Sequence, residues 1–319
     1  MKTVLVTGGA GFIGSHLCER LLELGHKVVC FDNMATGRKE NLAKIKDHPN
    51  FTLLIGDTNN TEHLKDVFRY TKFDWVFHYA AVVGVKRTEE DPVAVLNDIE
   101  GIKSICEMCK FYGVDRLCFS SSSEVYGEPK KLPEAEDDSL DARMPYAQVK
   151  AIGESFLKAY HEKYGLKTVS LRFFNVYGPR QESSDYGFVV GIFIKRALKG
   201  KNPIVFGDGT QTREFVFIED NINAAIAAME SDKTPGKIIN IGNNLNNGKG
   251  TRIIDLANTI IKIMGKEGEL KPEFAEDKNN RVTHRLPSKD VMNEFIAYKC
   301  KYDLVSGLKK TIQYYLEQD

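Results

Sequence analysis

The chain has 319 residues, 42% of them hydrophobic and 28% charged, which is typical of an ordinary globular protein with one large or two modest domains. Its 44 lysines and arginines balance 44 acidic residues, so no basic excess indicates a nucleic-acid partner. No run of about 18 apolar residues predicts a membrane span, and a strand directly after Met1 and Lys2 predicts a cytoplasmic protein without a signal peptide.

The first predicted element is a strand that runs into a glycine-rich turn. Residues 2–7 are a short apolar run, and residues 16–24 have helical periodicity. Between them lie Gly8, Gly9, Gly11 and Gly14. This order is the context of the dinucleotide fingerprint, in which glycines let backbone N–H groups approach a pyrophosphate at a helix N-terminus. The alternative is an ordinary βαβ unit with a glycine turn.

A second strand, residues 28–31, leads directly to Asp32. An acidic residue about 20 positions after the last glycine is expected to bind the adenosine ribose, and Asp32 has this spacing from Gly14. Because a carboxylate there repels a 2′-phosphate, the sequence favours NAD over NADP.

The rest of the first half alternates strand and helix. The predicted strands are 51–55, 73–78, 116–119 and 168–172, and the predicted helices are 60–70, 92–112 and 146–164. This alternation predicts an α/β fold with a doubly wound parallel sheet, whose ligands collect at the carboxyl ends of the strands.

Beyond about residue 175 the pattern loosens. We predict helices at 187–200, 252–264 and 302–317, a helix capped by Asp220 that continues to Met229, strands at 203–206 and 237–241, and a long loop at 243–250. The expected organisation is an NAD-binding Rossmann domain at 1–174, rejoined by about 214–242, and a smaller α+β substrate lobe over most of 175–319.

The cysteines and histidines do not indicate a metal or redox site. Cys106 and Cys109 form a Cys-x-x-Cys in the middle of a predicted helix, where core packing is the expected role. The seven histidines are scattered without metal-ligand spacing, so we expect no metal.

Chemistry is indicated most clearly by Tyr146 and Lys150. Four residues apart, they share one face of a helix, where an ammonium can lower the pKa of a phenol and prepare it to take a proton from a substrate hydroxyl. The serine run 120–123 follows a predicted strand that ends at Phe119, so a hydroxyl there can bind the same substrate oxygen. A solvated serine-rich turn is the alternative.

Several motifs in order carry a resemblance to a known family. They are Thr7-Gly-Gly-Ala-Gly-Phe-Ile-Gly-Ser-His16, Phe31-Asp-Asn33, His78-Tyr-Ala-Ala81, Ser121-Ser-Ser-Glu-Val-Tyr-Gly127, Tyr146-x-x-x-Lys150, Arg172-Phe-Phe-Asn-Val-Tyr-Gly-Pro-Arg180 and Gly207-Asp-Gly-Thr-Gln-Thr-Arg213. The chain resembles the extended short-chain dehydrogenases, in particular NAD-dependent nucleotide-sugar epimerases and dehydratases. The match is strong over residues 1 to about 242 and loose beyond.

The resemblance implies a role for each matching residue. Tyr146 is the acid/base, Lys150 lowers its pKa and holds the nicotinamide ribose, and Ser122 binds the sugar C4 oxygen. The implied NAD site comprises Gly8, Gly11, Phe12, Ile13, Gly14, Asp32, Asn33, Asp57, Ala80 and Ala81. Asn175 and Arg213 match positions that contact the substrate diphosphate, and Arg281 or Arg285 joins them.

The family mechanism is transient oxidation at C4 to a 4-keto sugar, and the best match is a UDP-hexose 4-epimerase. The alternatives are a 4,6-dehydratase or a UDP-glucuronate-type decarboxylase in which Glu124 acts as a base at C5, and, more remotely, a non-catalytic NAD-binding regulator. Asp98 departs from the usual Asn, which a one-residue shift to Asn97 would explain.

The family also implies a homodimer whose interface is formed by helices 92–112 and 145–164. Apolar side chains for this interface are Met108, Phe111, Phe156 and Tyr160. The alternative is that these side chains face the chain's own sheet.

Overall fold

Strands and helices alternate through the first half of the chain. The computed structural model describes residues 1–184, 188–245, 249–277 and 283–318. The first elements are β1 (Thr3–Thr7), α1 (Phe12–Glu23), β2 (Lys27–Asp32), β3 (Phe51–Ile55), α2 (Thr61–Tyr70), β4 (Trp75–His78), α3 (Val85–Glu90), α4 (Pro92–Tyr112), β5 (Arg116–Ser122), α5 (Pro145–Tyr164) and β6 (Lys167–Phe173), with 3₁₀ helices at Lys39–Leu42 and Ser123–Tyr126.

The second half contains shorter strands. Its elements are β7 (Val176–Tyr177), α6 (Val189–Leu198), β8 (Ile204–Phe206), β9 (Thr212–Arg213), β10 (Val216–Phe217), α7 (Ile218–Glu230), β11 (Lys237–Ile241), β12 (Thr251–Arg252), α8 (Ile253–Ile263), β13 (Glu273–Ala275), β14 (His284–Arg285), α9 (Asp290–Phe295) and α10 (Leu304–Leu316).

Seven strands form one parallel sheet in the order β11-β6-β5-β4-β1-β2-β3. The order reverses beside β1, because the chain first winds outward to β2 and β3 and then returns to β4 on the other side. In such sheets the crevice at the carboxyl ends beside this reversal is where ligands bind. The predicted doubly wound α/β fold is confirmed.

Alternate residues of β1 face opposite sides of the sheet. Val4 and Val6 are buried in a cluster with residues of α1 and α7, whereas Leu5 is buried in a second cluster with residues of α2, α4 and α5. Each face is therefore covered by helices, as a fully buried parallel sheet requires.

The long helix α4 has the bounds predicted from the sequence, because both ends carry strong signals. The Asp91 side chain caps the first turn by accepting a hydrogen bond from Ala94 N at 2.9 Å, and Pro92 occupies the first turn. Gly113 ends the helix with a left-handed φ of 68°.

Small sheets hold the second half together. β10 pairs with β7, β13 pairs with β8, and β9 lies between β12 and β14. β11 instead joins the edge of the large sheet, and α7 lies against α1, where Arg20 Nε donates to Asn223 Oδ1 at 3.1 Å. The C-terminal elements therefore form a smaller α+β lobe anchored on the large sheet.

Two predicted element boundaries are wrong, one at the end of β5 and one at the start of α7. β5 continues past Phe119 to Ser122, because its backbone pairs with β6 over Ser120–Ser122. Helix α7 begins at Ile218, so Asp220 lies inside the helix rather than capping it. Its buried carboxylate accepts from the N–H groups of Lys301 and Tyr302 at 2.9 and 3.0 Å.

The apolar side chains expected on α4 and α5 divide between core and surface. Met108 is buried, so for this residue the prediction of an outward face is wrong, whereas Phe156 and Tyr160 are half-buried and pack against the same cluster. Phe111 is 74% exposed. Other exposed apolar residues on these helices are Val93, Leu96, Ile152 and Tyr164.

The six cysteines are free and buried, and the core packing predicted for Cys106 and Cys109 is confirmed. Burial raises the pKa of Cys106 to about 12, so this thiol stays protonated. In the part of the chain that the structure describes, no cluster of His, Cys, Asp and Glu could hold a metal ion, and no helix is long and apolar enough to cross a membrane.

Candidate active site

The turn between β1 and α1 leaves no room for side chains. Gly8 has a left-handed φ of 68°, and a Cβ there would lie 2.7 Å from Ala80 N. A Cβ on Gly14 would collide with the Gly8 carbonyl oxygen and lie 2.8 Å from Gly9 Cα. The backbone therefore closes tightly around the start of α1, as the fingerprint predicts.

The N-terminus of α1 faces this turn. No side chain in the described residues caps it at Gly11, and Phe12 and Ile13 begin its first turn. The first N–H groups of a helix lack intrahelical partners and carry a partial positive charge. They can therefore bind an anion such as a pyrophosphate.

Asp32 lies beside this turn, at the carboxyl end of β2. Its buried carboxylate accepts hydrogen bonds from Ala10 N at 2.9 Å and Met34 N at 2.8 Å. Burial raises the pKa of this carboxyl, while the two N–H groups oppose the rise. Asn33 is exposed, and its side chain accepts from Ala35 N.

The other residues predicted for the cofactor follow neighbouring strands. Asp57 comes after β3, is half-buried, and accepts from Asn59 N at 2.8 Å. Ala80 and Ala81 come after β4, where Ala80 N donates to the Thr7 hydroxyl at 3.2 Å. The structure thus brings the predicted NAD-binding residues to one edge of the sheet.

Ser122, Tyr146 and Lys150 meet at the same edge. β5 ends at Ser122, and α5 presents Tyr146 and Lys150 one turn apart beside it. The Ser122 hydroxyl lies close enough to the phenol to favour its ionised form. Lys150 is buried, with Nζ 5.5 Å from the centroid of the Tyr146 ring and 3.4 Å from Ser120 Oγ.

The electrostatics of this pair differ from the expectation. Burial raises the pKa of Tyr146, and the Ser122 hydroxyl opposes the rise. Burial also lowers the pKa of Lys150 to about 8, against the attraction of Asp98 and Glu154. Because desolvation penalises the phenolate more than the polar neighbours favour it, the chain's own groups do not lower the phenol pKa.

Asp98 occupies the inward position on α4. It is buried, accepting from Val82 N at 2.7 Å and from Asn59 Nδ2 at 3.2 Å, whereas Asn97 is exposed. The explanation by a one-residue shift is therefore wrong. This chain has a carboxylate where the resemblance implies an amide.

A buried ion pair that the sequence analysis missed lies behind Ser122. Arg172 donates to both carboxylate oxygens of Glu154 at 2.8 Å, and the Ser121 hydroxyl donates to Glu154 Oε1 at 2.5 Å. Glu154 lies one further turn along the face that carries Tyr146 and Lys150. The four-residue spacing could have indicated it, but its partner on β6 could not be predicted.

Two further residues predicted to bind substrate, Asn175 and Arg213, lie in the described part of the chain. Asn175 follows β6 in a left-handed conformation, with a φ of 30°, which is a strained geometry typical of functional sites. Arg213 is half-buried on β9, and its Nη1 donates to Thr212 O at 2.9 Å. Arg281 and residues 246–248 of the predicted 243–250 loop lie outside the described residues.

Arg285 does not face a diphosphate site. It is 1% exposed, and its Nη1 donates to the carbonyls of Ser123 and Gly127 and to Glu134 Oε1, each at 2.9 Å. Its Nη2 lies 3.6 Å from Glu124 Oε2. The competing assignment of Arg285 to the diphosphate is therefore wrong, and its partner Glu134, 151 residues away, had no local sequence signal.

The sequence itself matches a family model. Residues 4–242 match the NAD dependent epimerase/dehydratase family. The chain belongs to this family. The predicted resemblance and the NAD cofactor are thereby confirmed, and the uncapped α1 N-terminus, the closed glycine turn and Asp32 fit NAD.

Relatives with different reactions cover almost the whole chain. The UDP-glucose 4-epimerase of Mycolicibacterium smegmatis is 33% identical, over 99% of this chain and 98% of its own. The UDP-N-acetyl-alpha-D-glucosaminuronate decarboxylase of Bacillus cytotoxicus is 34% identical, over 99% and 98%. The solved UDP-glucose 4-epimerase of Thermotoga maritima with UDP-glucose has a TM-score of 0.92 at 32% identity, with 99% of each chain covered.

Proposed function

We propose that this protein is a UDP-hexose 4-epimerase that acts through transient oxidation at C4. The observation that carries the proposal is the meeting of Ser122, Tyr146 and Lys150 at the edge of the sheet that also holds the NAD turn. The epimerases among the relatives support it.

The chain's own residues supply positioning and proton transfer. Bound NAD supplies a reversible hydride acceptor, so no net oxidant is consumed. Tyr146 takes the proton of the C4 hydroxyl and later returns it, while Ser122 holds the C4 oxygen. Lys150 provides a buried positive charge that favours the phenolate during the transfer.

Epimerisation also needs a substrate that can turn within the site. We propose that Asn175, Arg213 and Arg281 hold the diphosphate, because guanidinium groups bind it through paired N–H donors. The hexose would then rotate about a fixed diphosphate and present its other face. This assignment implies that residues 1–174 mainly bind NAD and 175–319 mainly bind substrate.

The test is nuclear magnetic resonance of the purified protein mixed in turn with UDP-glucose, UDP-N-acetylglucosamine, UDP-glucuronate and dTDP-glucose. A new anomeric signal from the C4 epimer of one UDP-hexose would support the proposal and identify the sugar. A 6-deoxy methyl signal or loss of C6 as carbon dioxide would contradict it.

A second candidate function is that of a lyase, either a decarboxylase or a 4,6-dehydratase. The observation that favours it is Glu124, which directly follows the serine run, has a half-exposed side chain and lies 3.6 Å from a buried guanidinium. A carboxylate so placed can act as a base at C5 of a 4-keto sugar. The same substrate panel distinguishes this function by its products.

We also propose a homodimer formed by α4 and α5. Val93, Leu96, Phe111, Ile152 and Tyr164 expose apolar surface on these two helices, which pack side by side. Clustered exposed apolar side chains on a globular protein often mark an interface.

A further inference from the structure

Glu134 is a buried carboxylate that links the two halves of the chain. It is 1% exposed, its N–H donates to Leu286 O at 2.7 Å, and its carbonyl accepts from Ser288 N at 2.7 Å. Its Oε2 accepts from Leu286 N at 3.0 Å, and its Oε1 accepts from Arg285 Nη1 at 2.9 Å. These bonds attach β14 and the segment after it to the loop that follows the Ser123–Tyr126 turn.

The two terminal nitrogens of Arg285, Nη1 and Nη2, have different hydrogen-bond partners. Nη1 has three acceptors at 2.9 Å, which are Glu134 and the carbonyls of Ser123 and Gly127. Nη2 is buried without a hydrogen-bond partner, and the nearest carboxylate oxygen, on Glu124, is 3.6 Å away. That distance permits charge attraction but is too long for a hydrogen bond.

Glu134 and Glu124 therefore lie against the same guanidinium, Glu134 at Nη1 and Glu124 at Nη2. A buried, unsatisfied N–H group costs free energy, so Nη2 gains by closing on Glu124 whenever Glu134 holds Arg285 less strongly. Closing would occupy the Glu124 carboxylate with the guanidinium. It would also weaken Glu124 as a base, because a paired carboxylate binds protons less readily.

We propose that Glu134 is a positioning residue that controls Glu124 through Arg285. Ionised Glu134 holds the guanidinium behind the Ser123–Tyr126 turn and leaves Glu124 available to the substrate. Neutral Glu134 releases the guanidinium to form a hydrogen-bonded ion pair with Glu124. The inference rests on the second candidate function, in which Glu124 acts as a base toward the bound sugar.

The surroundings of Glu134 make its charge responsive near neutral pH. Burial raises the pKa of Glu134 to about 7, and Glu124 adds to the rise, while Arg285 and Leu286 N oppose it. A cavity of about 320 Å³ borders Glu134 and offers water access. Its other charged lining residues are Glu128, Lys130, Lys131, Asp138 and Asp141. Lys131 is paired with Asp138 at 2.8 Å.

The first experiment compares crystal structures of the wild type and Glu134→Gln at pH 8.5. In the variant we expect Arg285 Nη2 and Glu124 Oε2 to approach from 3.6 Å to about 3 Å, the length of a charged hydrogen bond. An unchanged separation overturns the proposal. If the variant does not fold, wild-type crystals at pH 6 and pH 8.5 provide the same comparison without a substitution.

The second experiment measures kcat/KM from pH 5.5 to 9 on the sugar nucleotide that the substrate panel identifies. We expect a roughly tenfold rise through pH 7 in the wild type and in Glu134→Asp, and no such step in Glu134→Gln or Glu124→Gln. Glu128→Gln removes a carboxylate from the same cavity without touching Arg285 and should keep the step.

If the rise of kcat/KM through pH 7 persists in Glu134→Gln, the inference is overturned, although the enzyme is active. If no sugar nucleotide of the panel is turned over, the proposed function fails, and the crystallographic distance still tests the role of Glu134. The two failures are therefore distinguishable.

Discussion

At the scale of single residues, burial governs the chemistry of the site. Tyr146 and Lys150 are both withdrawn from water, so the pKa of the phenol rises and that of the ammonium falls. The two pKa values therefore move apart, so the phenol keeps its proton and Lys150 does not take it from Tyr146. Because Asp98 and Glu154 attract the Lys150 ammonium, the lysine keeps its charge up to about pH 8.

Replacing Tyr146 with phenylalanine removes the proposed proton acceptor. We expect turnover to fall by about 10²- to 10⁴-fold, the usual contribution of general acid–base catalysis, with NAD still bound. Initial rates and the NAD content of the purified protein measure the two effects. Tyr160→Phe on the same helix is the matched control and should keep full activity; equal losses in both variants would contradict the role of Tyr146.

The pH dependence of turnover should report Lys150. Its pKa is lowered to about 8, so the cation is present below this pH and is lost as the pH rises through it. We expect kcat to decline above pH 8, and Lys150→Arg, which stays charged, to lose this decline while keeping part of the activity. A rate that is constant from pH 7 to 10 in the wild type would argue against a catalytic ammonium.

At the scale of elements, the β1–α1 unit performs its role through the backbone. The glycine turn brings the α1 N-terminus, Asp32 and Ala80 together, so the groups predicted to bind the pyrophosphate and the ribose come from a single βαβ unit and its neighbour. Side chains contribute little here, because steric exclusion at Gly8 and Gly14 sets the path of the chain.

Gly14→Ala should abolish NAD binding, because the added Cβ collides with the Gly8 carbonyl oxygen in the turn that we predict to bind the cofactor. Gly113→Ala is the control, since Gly113 has a φ of 68° but nothing within 4 Å of its Cβ. That variant should lose about 1–2 kcal/mol of stability from backbone strain and bind NAD normally. Calorimetric titration with NAD and thermal unfolding measure both; normal NAD affinity in Gly14→Ala would refute the assignment.

At the scale of the whole molecule, two features affect assembly and the connection between the two halves of the chain. One is the exposed apolar surface of α4 and α5, and the other is the contact between Glu134 and Arg285. α4 and α5 help to form a core cluster and also expose the apolar side chains of Val93, Leu96, Phe111, Ile152 and Tyr164. The Glu134–Arg285 contact joins the C-terminal lobe to the turn beside Ser122. The exposed surface of α4 and α5 concerns assembly of the protein. The Glu134–Arg285 contact connects the C-terminal lobe to the candidate active site.

Phe111→Asp together with Ile152→Asp should convert the proposed dimer to a monomer, because burying two carboxylates in an apolar interface is costly. Sedimentation velocity measures the mass. Phe274→Asp, a comparably exposed apolar residue on β13, should leave the mass unchanged. A monomeric wild type would exclude the proposed interface.

Local patterns alone determined the fold class, the NAD turn and the position of the Tyr146–Lys150 helix. Glycine spacing, strand and helix periodicity and caps such as Asp91 and Gly113 act over a few residues, so the sequence displays them directly. The bounds of α4 and of strands β3 and β11 were predictable for this reason.

The tertiary structure decided what depends on distant partners. Pairing with β6 carries β5 on to Ser122, packing turns Asp98 inward and Met108 into the core, and Arg285 lies against Glu134, 151 residues earlier in the chain. Burial also reversed the expected direction of the Tyr146 pKa. Desolvation and long-range contacts arise only when separate segments meet, so a linear pattern contains no signal for them.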